Sequence, residues 1–89
     1  MIQREITIIN KLGLHARAAA KFVSCATAFS SQVRVGQDGN FVDGKSIMSI
    51  MMLAAAKGTV LQLELEGNDE QAALDALVAL IENRFEESE

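Results

Sequence analysis

The chain has 89 residues, enough for one domain with a modest core and too few for two. Its 49% apolar content excludes a disordered chain, and its formal net charge of −4 excludes a general nucleic-acid binder, which needs a basic footprint. The longest apolar run, 47–56, is too short to span a bilayer, the start Met-Ile-Gln-Arg-Glu lacks the pattern of a signal peptide, and the single Cys25 cannot form an internal disulfide, so a cytoplasmic protein with no membrane insertion is expected.

Residues 2–9, with Ile2, Ile6, Ile8 and Ile9, predict a first strand. Ala19, Phe22, Val23 and Ala26 follow helical spacing and predict a helix over 16–28. Val33 and Val35 alternate in a strand over 32–37, and Asp38-Gly39 signals a hairpin turn into a short returning strand at Phe41-Val42. Residues 46–56 predict a second helix, apolar almost all round and stopped by Gly58. On that helix Ile47, Ile50, Met51 and Ala54 are expected to face the core, with Met51 as core filler and Met48 and Met52 exposed. Leu61, Leu63 and Leu65 alternate with Gln62, Glu64 and Glu66 in a strand over 60–66. A last helix is expected over 69–85, capped by Asn68 with Gln71 as its box partner, its apolar face formed by Leu74, Leu77, Val78, Ile81 and Phe85. The order β-α-β-β-α-β-α predicts an α+β fold, with three helices on one face of a four-stranded, mainly antiparallel sheet and the other face solvated.

The chemistry concentrates in Leu12-Gly13-Leu14-His15-Ala16-Arg17-Ala18-Ala19. Gly13 gives a turn after the first strand, and His15 falls at the start of the first helix. The N–H groups of Ala16 and its neighbours have no intrahelical partner there, so with the helix dipole they form an anion site. A neutral imidazole is a nucleophile near neutral pH, and the Arg17 guanidinium suits a phosphate. The residues alone leave two readings open, a surface histidine with no chemistry and a phosphoryl acceptor. One His and one Cys far apart supply no metal motif, and no Ser or Asp beside His15 supplies a triad.

This stretch resembles the active-site signature of HPr, the histidine-containing phosphocarrier family of the bacterial phosphotransferase system. A second stretch, Gly44-Lys45-Ser46-Ile47-Met48-Ser49-Ile50-Met51-Met52-Leu53, resembles that family's regulatory serine region. Length, element order and the spacing of the two stretches match as well, so the resemblance covers essentially the whole chain. It implies the family's open-faced β-sandwich and a monomer with no cofactor. It implies that His15 takes a phosphoryl group on Nδ1 from phosphorylated enzyme I, itself charged by phosphoenolpyruvate, and passes it to an enzyme IIA component. Arg17 and the Ala16 N–H would hold the phosphate, and the chain would be a covalent intermediate rather than an enzyme. Ser46 would be the target of HPr kinase/phosphorylase; as a residue it reads equally as a helix cap. Lys21, Ser24, Lys45, Ile47, Met48, Met51 and Met52 would form the docking face. Position 18 is usually proline in the family and is Ala18 here. Ser24, Thr27 and Ser49 stand where basic residues are common, so the docking face is expected to be less positive and to steer partners weakly.

Two alternatives accompany the sugar-uptake reading. One is a carrier in the nitrogen-related phosphotransferase branch; the other is a non-catalytic regulatory module on the same fold, acting through the Ser46 helix. Cys25 reads as a packing thiol, and Glu82, Glu86, Glu87 and Glu89 as a solvated, fraying terminus.

Overall fold

A computed structural model describes residues 1–88. Alternating apolar residues build four strands, β1 (Ile2–Thr7), β2 (Gln32–Gln37), β3 (Asn40–Asp43) and β4 (Val60–Glu66). They form one sheet in the order β1-β4-β2-β3, and every pairing is antiparallel. Val33 and Val35 of β2 and Leu61, Leu63 and Leu65 of β4 point to one face and are buried, each contributing roughly 1.5–3 kcal/mol by leaving water. The opposite face is polar: the Arg34 guanidinium lies 5.3 Å from the Phe41 ring centroid and 3.6 Å from the Glu64 carboxylate. Asp38 and Gly39 both take positive φ (54° and 86°), the conformation that a two-residue hairpin turn requires, so β2 and β3 pair in register from Gln37–Asn40.

The buried face is covered by α1 (Ala16–Thr27), α2 (Ile47–Met52) and α3 (Glu70–Glu82). A short 3-10 turn, Arg84–Glu86, follows. The expected element order and layer arrangement hold, and no helix among the described residues is long and apolar enough to cross a membrane.

Four boundaries differ from expectation, at the ends of β1 and α2 and at both ends of α3, where contacts between distant segments outcompete local propensity. β1 stops at Thr7, because Ile8 exchanges backbone hydrogen bonds with Gly58 and Thr59 instead of β4. α2 ends at Met52 rather than at residue 56. Leu53 and Ala54 close the last turn, Ala54 flips to φ 51°, and buried Ala55 turns its carbonyl to the N–H of Leu14 (2.8 Å). On this shorter helix only Ile50 is buried, so Ile47, Met51 and Ala54 are exposed rather than core-facing.

α3 starts at Glu70 with Asp69, not Asn68, at its cap position, and the Gln71 side chain bonds Asp75 instead of closing a capping box. The Asp69 carboxylate faces away from the helix. It accepts from the backbone N–H groups of Ser30 and Ser31 (both 2.9 Å) and from both serine hydroxyls. The helix ends at Glu82 rather than Phe85. Leu74, Leu77 and Ile81 fill the core as expected, and Phe85 joins them from outside the helix.

Candidate functional site

Gly13 sets the position of His15. It takes φ 68°, and a Cβ there would lie 2.4 Å from the Ala55 carbonyl oxygen. Leu14 is buried against this contact, so the loop before α1 is fixed to the segment that follows α2. His15 is then the N-cap of α1, in extended backbone (φ −75°, ψ 178°), and its side chain caps nothing. The first intrahelical bond runs from Ala19 N–H to His15 O (2.8 Å). The N–H groups of Ala16, Arg17 and Ala18 come before that bond, and the first turn holds no acidic residue. Ala18 is fully buried and the helix begins normally around it. Arg17 is exposed, and among the described residues nothing engages its guanidinium. His15, Ala16 and Arg17 thus lie together at the N-terminus of α1.

The C-terminal segment overturns an expectation. Glu86 and Glu87 are not a fraying terminus; the chain folds back onto α1 and brings Glu87 to His15 and Glu86 to Lys21. Glu89 lies outside the described residues. Arg84, Phe85 and Glu86 all take positive φ (55°, 54° and 66°), a left-handed turn costing roughly 1–2 kcal/mol per residue. Two contacts hold it: the fully buried Phe85 ring, and Lys21, whose ammonium donates to the Phe85 carbonyl (2.7 Å) and pairs with Glu86 (3.4 Å).

The turn delivers the Glu87 carboxylate to Nε2 of His15 in a close contact, with the Glu87 side chain only 17% exposed. Its other oxygen accepts from Asn10 Nδ2 (3.0 Å), which also donates to the Gly13 carbonyl (2.9 Å). Asn10 is fully buried and its Oδ1 has no partner among the described residues, a cost of roughly 1–3 kcal/mol. Burial pushes the Glu87 carboxyl up, but the hydrogen bonds from His15 and Asn10 and the charges of His15 and Lys21 outweigh it and hold it below its ordinary value. His15, Lys11, Leu12, Arg17, Glu86 and Glu87 line one open groove. Sequence reasoning missed this part of the site; the signal was Phe85, a large apolar residue too close to the end for a tail that frays.

Ser46 caps α2, its hydroxyl accepting from Ser49 N–H (3.3 Å). Lys45 donates to the Phe29 carbonyl (2.8 Å). Lys21 and Lys45 are therefore half-buried ties rather than free surface charges, while Ser24 is exposed. Met48 (72% exposed), Met52 (78%), Ile47 and Met51 form an apolar surface on α2. Cys25 is half-buried, and burial pushes its thiol pKa up, which disfavours the thiolate. No group of three or more metal-ligating side chains occurs among the described residues.

The family model of the PTS HPr component phosphorylation site matches residues 2–83. The chain belongs to the HPr family. Phosphocarrier protein HPr of Pseudomonas aeruginosa is 66% identical over 86 residues, covering 96% of each chain. The HPr of Cupriavidus necator is 60% identical over the whole of both chains. Among solved structures, HPr-C-His from Thermoanaerobacter tengcongensis superposes with a TM-score of 0.96 at 50% identity, covering both chains fully. The four-stranded antiparallel sheet and three helices are thus those of HPr structures. Within this HPr fold the His15 loop, the segment that follows α2 and the C-terminal turn meet at the N-terminus of α1.

Proposed function

We propose that this HPr-family chain carries a phosphoryl group on Nδ1 of His15, taking it from phosphorylated enzyme I and giving it to an enzyme IIA component. The observation that carries the reading is a nucleophilic ring at the N-cap of α1, beside three N–H groups and an Arg17 guanidinium that nothing among the described residues engages. In the transfer, the Nδ1 lone pair forms a bond to phosphorus. The P–N bond of the donor phosphohistidine breaks and its electron pair stays on the donor ring. The chain is itself phosphorylated by the donor and dephosphorylated by the acceptor, one phosphoryl group at a time, so it is a covalent intermediate rather than a catalyst with its own turnover. The apolar surface of α2, a helix whose following segment is tied to Leu14 of the site, suits a docking partner. Phosphorylation of Ser46 by HPr kinase/phosphorylase would add about −1.5 to −2 charges at that surface while leaving an acceptor oxygen at the α2 cap. That would weaken docking without unfolding the helix.

The test is incubation with enzyme I and phosphoenolpyruvate. One acid-labile, alkali-stable phosphate should appear on the wild type and none on His15→Ala, whose fold should be intact. A wild-type protein that gains no phosphate from a competent enzyme I overturns the reading.

A further inference from the structure

We propose that the thioethers of Met48, Met51 and Met52 on α2 form a reversible oxidation site: a peroxide converts them to sulfoxides, and the oxidised surface docks enzyme I more weakly. The effect on docking rests on the role proposed for α2 above.

The first observation is where the sulfur sits. Four methionines and one cysteine hold all of it. Methionine commonly fills gaps in a core. Here every buried apolar residue is Ile, Leu, Val, Ala or Phe, and all four methionines are exposed, Met51 the least at 40%. Three of them lie on α2, where the spacing 48, 51, 52 sets their side chains on one side of the helix. Met1, the fourth, lies at the start of β1 with its ammonium paired to Glu70 (3.5 Å), outside the α2 surface.

The second observation is the state of the thiol. A thiolate reacts with peroxide ahead of a thioether, so an accessible, ionised cysteine would shield the methionines. Cys25 is half-buried in α1, and its burial disfavours the thiolate. The sulfur that a peroxide meets first is therefore on α2.

In the step itself the thioether sulfur gives a lone pair to one peroxide oxygen. The O–O bond breaks as the S–O bond forms. The sulfur is oxidised by two electrons. The peroxide is reduced, and with hydrogen peroxide the second oxygen leaves as water, taking the proton of the transferred oxygen. Return to the thioether needs the two methionine sulfoxide reductases, one for each sulfoxide epimer. The product carries a polar acceptor where the surface was apolar, and covering it with a partner that offers no donor is unfavourable. The fold does not depend on these side chains. Ser46 caps α2, and Ile50 anchors it in the core. None of the three lines the His15 groove, so the phosphoryl chemistry is untouched.

The test treats the full chain with hydrogen peroxide, maps the sulfoxides by peptide mass spectrometry, and measures transfer from enzyme I with phosphoenolpyruvate. Met48 and Met52 should oxidise before Met51, with Cys25 still reduced and the far-UV circular dichroism unchanged. KM should rise about fivefold while kcat changes less than about twofold, and the two reductases together should restore KM. A chain carrying Met48→Leu, Met51→Leu and Met52→Leu, with its own untreated KM as reference, should show no rise after the same treatment. The proposal is overturned by α2 sulfoxides with an unchanged KM, or by a KM rise that persists in the leucine variant. Oxidation of Cys25 ahead of the methionines, or loss of helix on oxidation, also overturns it. Failure of the untreated wild type to accept phosphate would overturn the carrier reading instead. Calorimetric affinity for unphosphorylated enzyme I, before and after peroxide, would then still decide whether the sulfoxides weaken docking.

Discussion

Gly13 has no room for a side chain. Its φ of 68° is a left-handed conformation, and the Ala55 carbonyl oxygen would lie 2.4 Å from an added Cβ. Gly39 makes a useful contrast, because its φ of 86° is equally left-handed but nothing lies within 4 Å. Gly13→Ala should therefore cost about 3 kcal/mol, strain plus steric conflict, and Gly39→Ala only about 1 kcal/mol. Urea denaturation of the two variants measures the difference; equal costs would mean that the Leu14–Ala55 contact does not hold the loop. The glycine, the histidine and the arginine were legible in the sequence because strand, Gly, His and helix follow one another directly. Glu87 was not legible, since it meets His15 across 72 residues through a turn that no local propensity favours.

The elements were legible where a hydrophobic period of two or 3.6 runs uninterrupted, as in β4 and the middle of α3. Their ends were set by contacts between distant segments: Ala55 with Leu14, Ile8 with Gly58, and Asp69 with the Ser30–Ser31 loop. The last of these has a pH signature. The Ser31 hydroxyl, then the Ser30 N–H, with the remaining Ser30 and Ser31 donors, lower the Asp69 pKa to about 2 against the opposing effect of burial. A carboxyl whose folded pKa lies below its unfolded value of 3.8 stabilises the fold above that value and loses the contribution as pH falls through about 2. Asp69→Asn should thus lower the melting temperature near neutral pH and flatten its decline between about pH 4 and pH 2. Thermal melts followed by circular dichroism across that range check this. A variant whose acid limb stays parallel to that of the wild type would remove Asp69 from the account.

For the molecule as a whole, the balance of charge decides how partners approach. The formal charge is −4, and two lysines of the proposed docking face, Lys21 and Lys45, donate to the backbone carbonyls of Phe85 and Phe29. What remains prominent on α2 is apolar, with Met48 and Met52 more than two-thirds exposed. The sequence already indicated a weakly basic face through Ser24, Thr27 and Ser49; the structure adds that two of its lysines are spoken for. Electrostatic steering can raise association rates by about 10- to 1000-fold and collapses in salt, whereas apolar docking persists. The rate of phosphoryl transfer from enzyme I should therefore change less than about threefold between about 50 mM and about 500 mM salt. Met48→Glu should raise KM about tenfold and leave kcat nearly unchanged, because Met48 lies on the proposed docking surface and outside the His15 groove. A steep loss of rate with salt, or a Met48→Glu protein with wild-type KM, would mean that charge rather than the α2 apolar surface brings the partner to His15.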